Sequence, residues 1–106
     1  MKMEEYRKMM TKSFKKRLKI HAKKSHDYAT EDVLANFKRV ANIMKVWKPD
    51  ISTPHGVAFV YIVLKLDRFA NLVFRNKKPL NESVQDTIDD LKNYMDLMEA
   101  CYNENI

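Results

Sequence analysis

The sequence predicts an all-α protein, a four-helix-type bundle, and three observations carry that prediction. The 106 residues include a single glycine and three prolines, too few for a turn-rich β fold. Apolar residues recur every three to four positions in four stretches. No segment shows the strict alternation of a half-exposed strand. The length suits one domain, residues 1–106, with a modest core. No apolar run reaches membrane-spanning length, and the basic N-terminus lacks the apolar centre of a signal peptide. Cys101 has no second cysteine to pair with, so a reducing, cytoplasmic setting is expected.

The first helix is expected from about Glu4 to Lys24. Tyr6, Met9 or Met10, Phe14, Ile20 and Ala22 supply an irregular apolar side, and lysines cover the remainder. Residues 1–24 hold ten Lys/Arg against Glu4 and Glu5, so this segment alone accounts for the net charge of +6. Such a helix reads either as a solvated amphipathic face or as an electrostatic collar that attracts phosphates. A nucleic-acid role is a further reading, but the block lacks aromatic interleaving and any groove-reading motif. Arg17 and His21 fall on the apolar side of the wheel and suit a pocket better than the outer lysines do.

Ser25–Thr30, S-H-D-Y-A-T, interrupts the periodicity. Thr30 is a candidate N-cap for the second helix, with Glu31 and Asp32 in its first turn. Val33, Leu34, Phe37, Val40, Ala41, Met44 and Trp47 form its expected core stripe, with the polar Asn36 and Arg39 on the same helix. His26 and Asp27 are either plain loop residues or, for Asp27, a metal-binding carboxylate beside a base-stacking Tyr28. Lys48–Gly56 contains two prolines and the only glycine, which marks a connector or a lid. The third helix, about Val57–Arg75, is hydrophobic nearly all round and is therefore the central one. Lys65 lies in an arc with Ala58, Ile62, Phe69 and Leu72, and Arg68 shares a flank with Tyr61. Such a lysine needs an anionic partner or a route to solvent. Asn71 continues the row and suits a base or a sugar.

The fourth helix starts at Asn81, read as its N-cap after Pro79 and Leu80, and ends near Cys101, with a frayed tail beyond. Val84, Ile88, Leu91, Met95 and Met98 form its stripe. Of its carboxylates, Glu82 and Asp89 face away from the stripe and Asp86 borders it. Asp90 shares a flank with Tyr94, Leu97 and Cys101. A carboxylate there needs a cation, hydrogen bonds or a metal, because a lone buried charge is too costly. Carboxylates four apart on a helix project the same way, and oxygen ligands suit Mg²⁺. Asp86 and Asp90 facing Lys65 and Arg68 would make a diphosphate-plus-metal site. The alternative is a structural ion pair between Lys65 and the acidic helix.

Four blocks resemble a known family: K-S-H-D-Y-A (Lys24–Ala29), D-V-L-A-N-F (Asp32–Phe37), K-L-D-R (Lys65–Arg68) and N-E-S-V-Q-D-T-I-D-D-L-K-N-Y (Asn81–Tyr94). They resemble phage and bacterial proteins of the nucleotide-modification-associated domain group, which are similar to the MazG-like all-α nucleotide pyrophosphohydrolases. The resemblance implies a MazG-like bundle, often oligomeric, that uses Mg²⁺ to split a nucleoside triphosphate into monophosphate and pyrophosphate. It implies Glu82, Asp86 and Asp90 as metal ligands, with Asp27 and Glu31 as the residues that would replace the family's further ligands. Lys65 and Arg68 would contact phosphate, and His26, Asp27 and Tyr28 would line the nucleotide pocket.

The MazG-like enzymes carry an E-x-x-E pair on an earlier helix, and this chain has none. Two functions follow as expectations. One is Mg²⁺-dependent pyrophosphohydrolysis with Asp86, Asp90 and Lys65 as the catalytic set. The other is a non-catalytic nucleotide sponge that sequesters a host cyclic or dinucleotide immune signal, in the host cytoplasm if phage-encoded, using Arg68, Asn71, Arg17 and His21. A basic helical nucleic-acid binder is the third. A homo-oligomer is expected because so many helix faces are apolar.

Overall fold

The computed structural model describes residues 1–28, 32–75 and 83–105, with side chains at 1–24, 32–75 and 83–104. The described residues form four helices: α1 (Met3–Tyr28), α2 (Ala35–Trp47), α3 (Pro54–Val73) and α4 (Val84–Asn105). α3 is the hub. It packs along α4, and α2 and α1 meet it over shorter stretches.

α3 and α4 form an antiparallel hairpin whose facing pairs rise along one helix as they fall along the other. Arg68 meets Thr87, and Lys65 pairs with Asp90 at 3.1 Å. Tyr61 stacks flat on Tyr94, with ring centroids 5.4 Å apart. His55 meets the ring of Tyr102 edge-on at 5.8 Å. Thr87, Tyr94 and Cys101 recur every seven residues, so the face of α4 turned to α3 is centred on them. Of the core stripe read from the sequence, Val84, Ile88, Leu91 and Met98 are half-buried beside that face, and Met95 is exposed.

Among the described residues the buried apolar side chains are Val40, Ala58, Ile62, Val63 and Leu72, four of them on α3. Asn36, Asp67, Arg68, Asn71 and Thr87 are buried among them. A core with as many polar as apolar members depends on pairing, since each buried polar group left unsatisfied costs about 1–3 kcal/mol.

Local chemistry sets the helix ends differently from the expectation at several places. α1 continues through Ser25–Tyr28 rather than breaking at Ser25. α2 begins at Ala35, after a turn in which Asp32 accepts the backbone N–H of Leu34 and pairs with Lys38. Thr30 and Glu31 lie outside the described residues. Of the expected α2 stripe only Val40 is buried, and Phe37 and Trp47 are more than half exposed. α4 extends through Tyr102 to Asn105, so the expected fraying is not seen before Ile106, which is outside the described residues.

The α2–α3 connector is held by its own hydrogen bonds. Lys48 takes the left-handed conformation that ends α2. Asp50 accepts from the backbone N–H and the hydroxyl of Ser52, at 3.0 and 2.6 Å. Thr53 donates its hydroxyl to the Asp50 carbonyl at 2.7 Å and accepts the Gly56 N–H at 3.1 Å, so it caps α3 with Pro54 at the first helical position. These bonds suit a fixed connector better than a lid. A Cβ on Gly56 would stand 1.8 Å from the Asp50 carbonyl oxygen. Gly56→Ala is therefore expected to cost about 1–3 kcal/mol, as overpacking does, read as a lower urea midpoint at unchanged slope.

Candidate functional site

Charged and polar side chains of α2, α3 and α4 converge on the middle of α3. Asp67 points to α2, where Arg39 grips it with Nε at 2.5 Å and Nη2 at 2.9 Å, a two-pronged guanidinium–carboxylate pair. The carboxylate holds the Arg39 guanidinium above its usual pKa. Arg68 points to α4 and is fully buried, donating to the hydroxyl of Thr87 and, at 3.5 Å, to the Ser83 carbonyl. Thr87 in turn donates to the Ser83 carbonyl at 3.2 Å. Asn71, also fully buried, accepts from Arg75 at 3.4 Å.

The expected cap Asn81 lies outside the described residues, and Ser83 supplies the described cap of α4. Its hydroxyl accepts the Asp86 N–H, and the Asp86 carboxylate accepts the Ser83 N–H, both at 3.0 Å. This reciprocal capping box satisfies two otherwise orphaned donors. The Ser83 backbone N–H, then the Ser83 hydroxyl beside the carboxylate, and last the nearby Arg68 charge hold the Asp86 carboxyl below the usual carboxylate range. Asp90 is the partner of Lys65. Two of the carboxylates expected to hold a metal, Asp86 and Asp90, are thus engaged within the fold, and among the described residues no three His, Cys, Asp or Glu side chains gather into a metal-binding group. Glu82 lies outside the described residues, as do the side chains of His26, Asp27 and Tyr28. Arg17 and His21 are exposed on α1, where Arg17 reaches the Ser13 hydroxyl at 3.4 Å.

The cavity nearest this polar centre is a groove of about 410 Å³ between α2 and α3. Ile43, Val63, Leu66 and Ala70 make its apolar wall, Arg39, Asp67 and Arg75 its charged side, and Trp47 one end. Trp47 leans on Phe59 at 5.5 Å with a 59° tilt, which fixes the indole while leaving most of it exposed. Asp67, Arg75 and the pairing of Arg39 were not singled out from the sequence. The available signal was an aspartate within the central, mostly apolar helix, which needs a cation to pair with, although Lys65 and Arg68 nearby on the same helix masked the need for Arg39. No family model, curated protein or solved structure matches this chain.

Asp67→Ala would leave Arg39 without its carboxylate in a half-buried site and is expected to cost about 3 kcal/mol in urea unfolding. Asp86 gives a pH test. Its folded pKa is depressed, so its contribution is full above the unfolded value near 4 and is lost as pH falls through the folded value. Asp86→Asn is expected to flatten the acid limb of the stability curve below about pH 4, as followed by thermal unfolding across a pH series.

Proposed function

We propose that the chain binds a nucleotide in the α2–α3 groove and need not hydrolyse it. The supporting observation is the lining of that groove, with two arginines at its polar side and an exposed tryptophan at its end. Arg39 and Arg75 against Asp67 leave one net positive charge, which suits a phosphate. The indole offers a stacking face for a base, and Asn42 offers both a donor and an acceptor for its edge. The volume falls within the range of small-molecule sites, about 300–1,000 Å³. Arg68 and Lys65, expected at the phosphate, have a structural use in this reading: one is sealed in the α3–α4 seam and the other is tied to Asp90.

Mg²⁺-dependent pyrophosphohydrolysis is the second reading. It is favoured by Asp86 and Asp90 lying one turn apart on α4, with Asp86 held ionised. It requires Glu82 and Asp27 to complete the ligand set.

Equilibrium binding to a panel of nucleoside triphosphates and cyclic dinucleotides, with Mg²⁺ and with EDTA, separates the two. Binding in EDTA with the ligand recovered intact is expected. Arg75→Ala and Trp47→Ala are each expected to weaken it about tenfold, the loss of one charge-assisted bond or one stack, at unchanged helicity. Pyrophosphate released only with Mg²⁺, and lost in Asp90→Asn, would establish the second reading instead. Affinity for nucleic acid that falls steeply with salt would shift the function to the lysines of α1.

A further inference from the structure

The accessible surface of the chain is 8222 Å², whereas a compact monomer of 12.6 kDa exposes about 6,200 Å². Its radius of gyration of 17.4 Å likewise exceeds the roughly 13 Å of a compact domain of this length. The surplus, about 2,000 Å² per chain, is what each partner of a large obligate homodimer covers. Its position is specific. On α1, Tyr6, Met10, Phe14 and Leu18 follow one another at four-residue spacing along one face, and each keeps 45–55% of its surface exposed. The face opposite carries Lys8, Lys12, Lys15, Lys19 and Lys23. On α4, Val84, Ile88, Met95 and Tyr102 align along one shoulder beside the α3 contact, where Val84 and Ile88 are half-buried, Met95 is half exposed, and Tyr102, which touches His55 with one edge of its ring, is more than half exposed.

Charge pairs the same two helices. α1 carries nine Lys/Arg against Glu4, Glu5 and Asp27, and α4 carries six acids against Lys92. The main contact of α1 within the chain is nevertheless with α3. We infer that the chain is a homodimer in which α1 of one copy lies along the α4 shoulder of the other, and reciprocally across a two-fold axis. Tyr6, Met10, Phe14 and Leu18 fill the seam against Val84, Ile88, Met95 and Tyr102, and the lysines and acids flank it. A two-fold arrangement uses both surfaces of both copies and closes the assembly, leaving no free seam to propagate. The α2–α3 groove stays open to solvent in this arrangement.

The test mixes isotopically heavy and light full-length chains, treats them with a zero-length carboxyl–amine cross-linker, and weighs the native assembly by light scattering. A mass twice that of the chain is expected, with α1-lysine to α4-carboxylate cross-links that join heavy to light chains. A monomer at tens of micromolar overturns the inference. So do cross-links confined to one isotope, which would mean that α1 folds onto its own α4. Phe14→Glu and Met95→Glu, on opposite sides of the seam, are each expected to raise the dimer dissociation constant at least a hundredfold while helicity is retained. A dimer that survives both overturns the seam. Co-sedimentation of the wild type with anionic phospholipid vesicles, in place of self-association, would assign the α1 stripe to a membrane surface and also overturn it.

Discussion

The fold depends on how α3 satisfies the charges it carries into the core. An apolar helix of this length would pack in several rotations about its axis with similar energy. Asp67 and Arg68 are neighbours in sequence, about 100° apart on the helix, and bind opposite ways: Asp67 to Arg39 of α2, Arg68 to Thr87 of α4. Together they fix the rotation of α3 and the register of both neighbours. Lys65–Asp90 and Tyr61–Tyr94 continue that register along α4. With only five buried apolar residues among those described, the hydrophobic term alone would specify the packing weakly. In this protein, polar pairing supplies orientation as well as satisfaction.

The same economy constrains the chemistry. Ser83 and Asp86 close the first turn of α4, so the carboxylate that a metal site would use is also the cap that starts its helix. Asp90 neutralises Lys65. Recruiting Asp86 for a metal would loosen the cap of α4, and recruiting Asp90 would loosen an ion pair of the α3–α4 seam. The α2–α3 groove is under no such constraint. Its charged side is anchored by the Arg39–Asp67 pair, and Arg75 and Trp47 remain on its exposed rim.

The all-helical class and the central place of α3 were legible, because both follow from periodicity, and periodicity survives without tertiary information. The need of Lys65 and Asp90 for opposite charges was also legible, and the structure joins them as an ion pair. The rotation of α4 was not. Its wheel has two apolar rows, and the pairings of Thr87, Asp90 and Tyr94 with α3 show how they turn to it. The cap at Ser83 was not singled out, because its reciprocal bond to Asp86 is a matter of geometry that spacing alone does not show. The α2 stripe misled for another reason. Apolar spacing tells which face needs covering and not whether this copy of the chain covers it, as the exposure of Phe37 and Trp47 illustrates.

The central claim is that the charges of α3 are committed to the fold and that ligand chemistry belongs to the α2–α3 groove. Nuclear magnetic resonance of the arginine and tryptophan side-chain N–H groups during titration with a nucleoside diphosphate tests it most directly. The account predicts shifts at the Trp47 indole and at the Arg75 and Arg39 guanidinium groups, with Arg68 unmoved and slow to exchange with solvent. Shifts concentrated at Arg68, with Trp47 unaffected, would contradict it and return the site to the seam between α3 and α4.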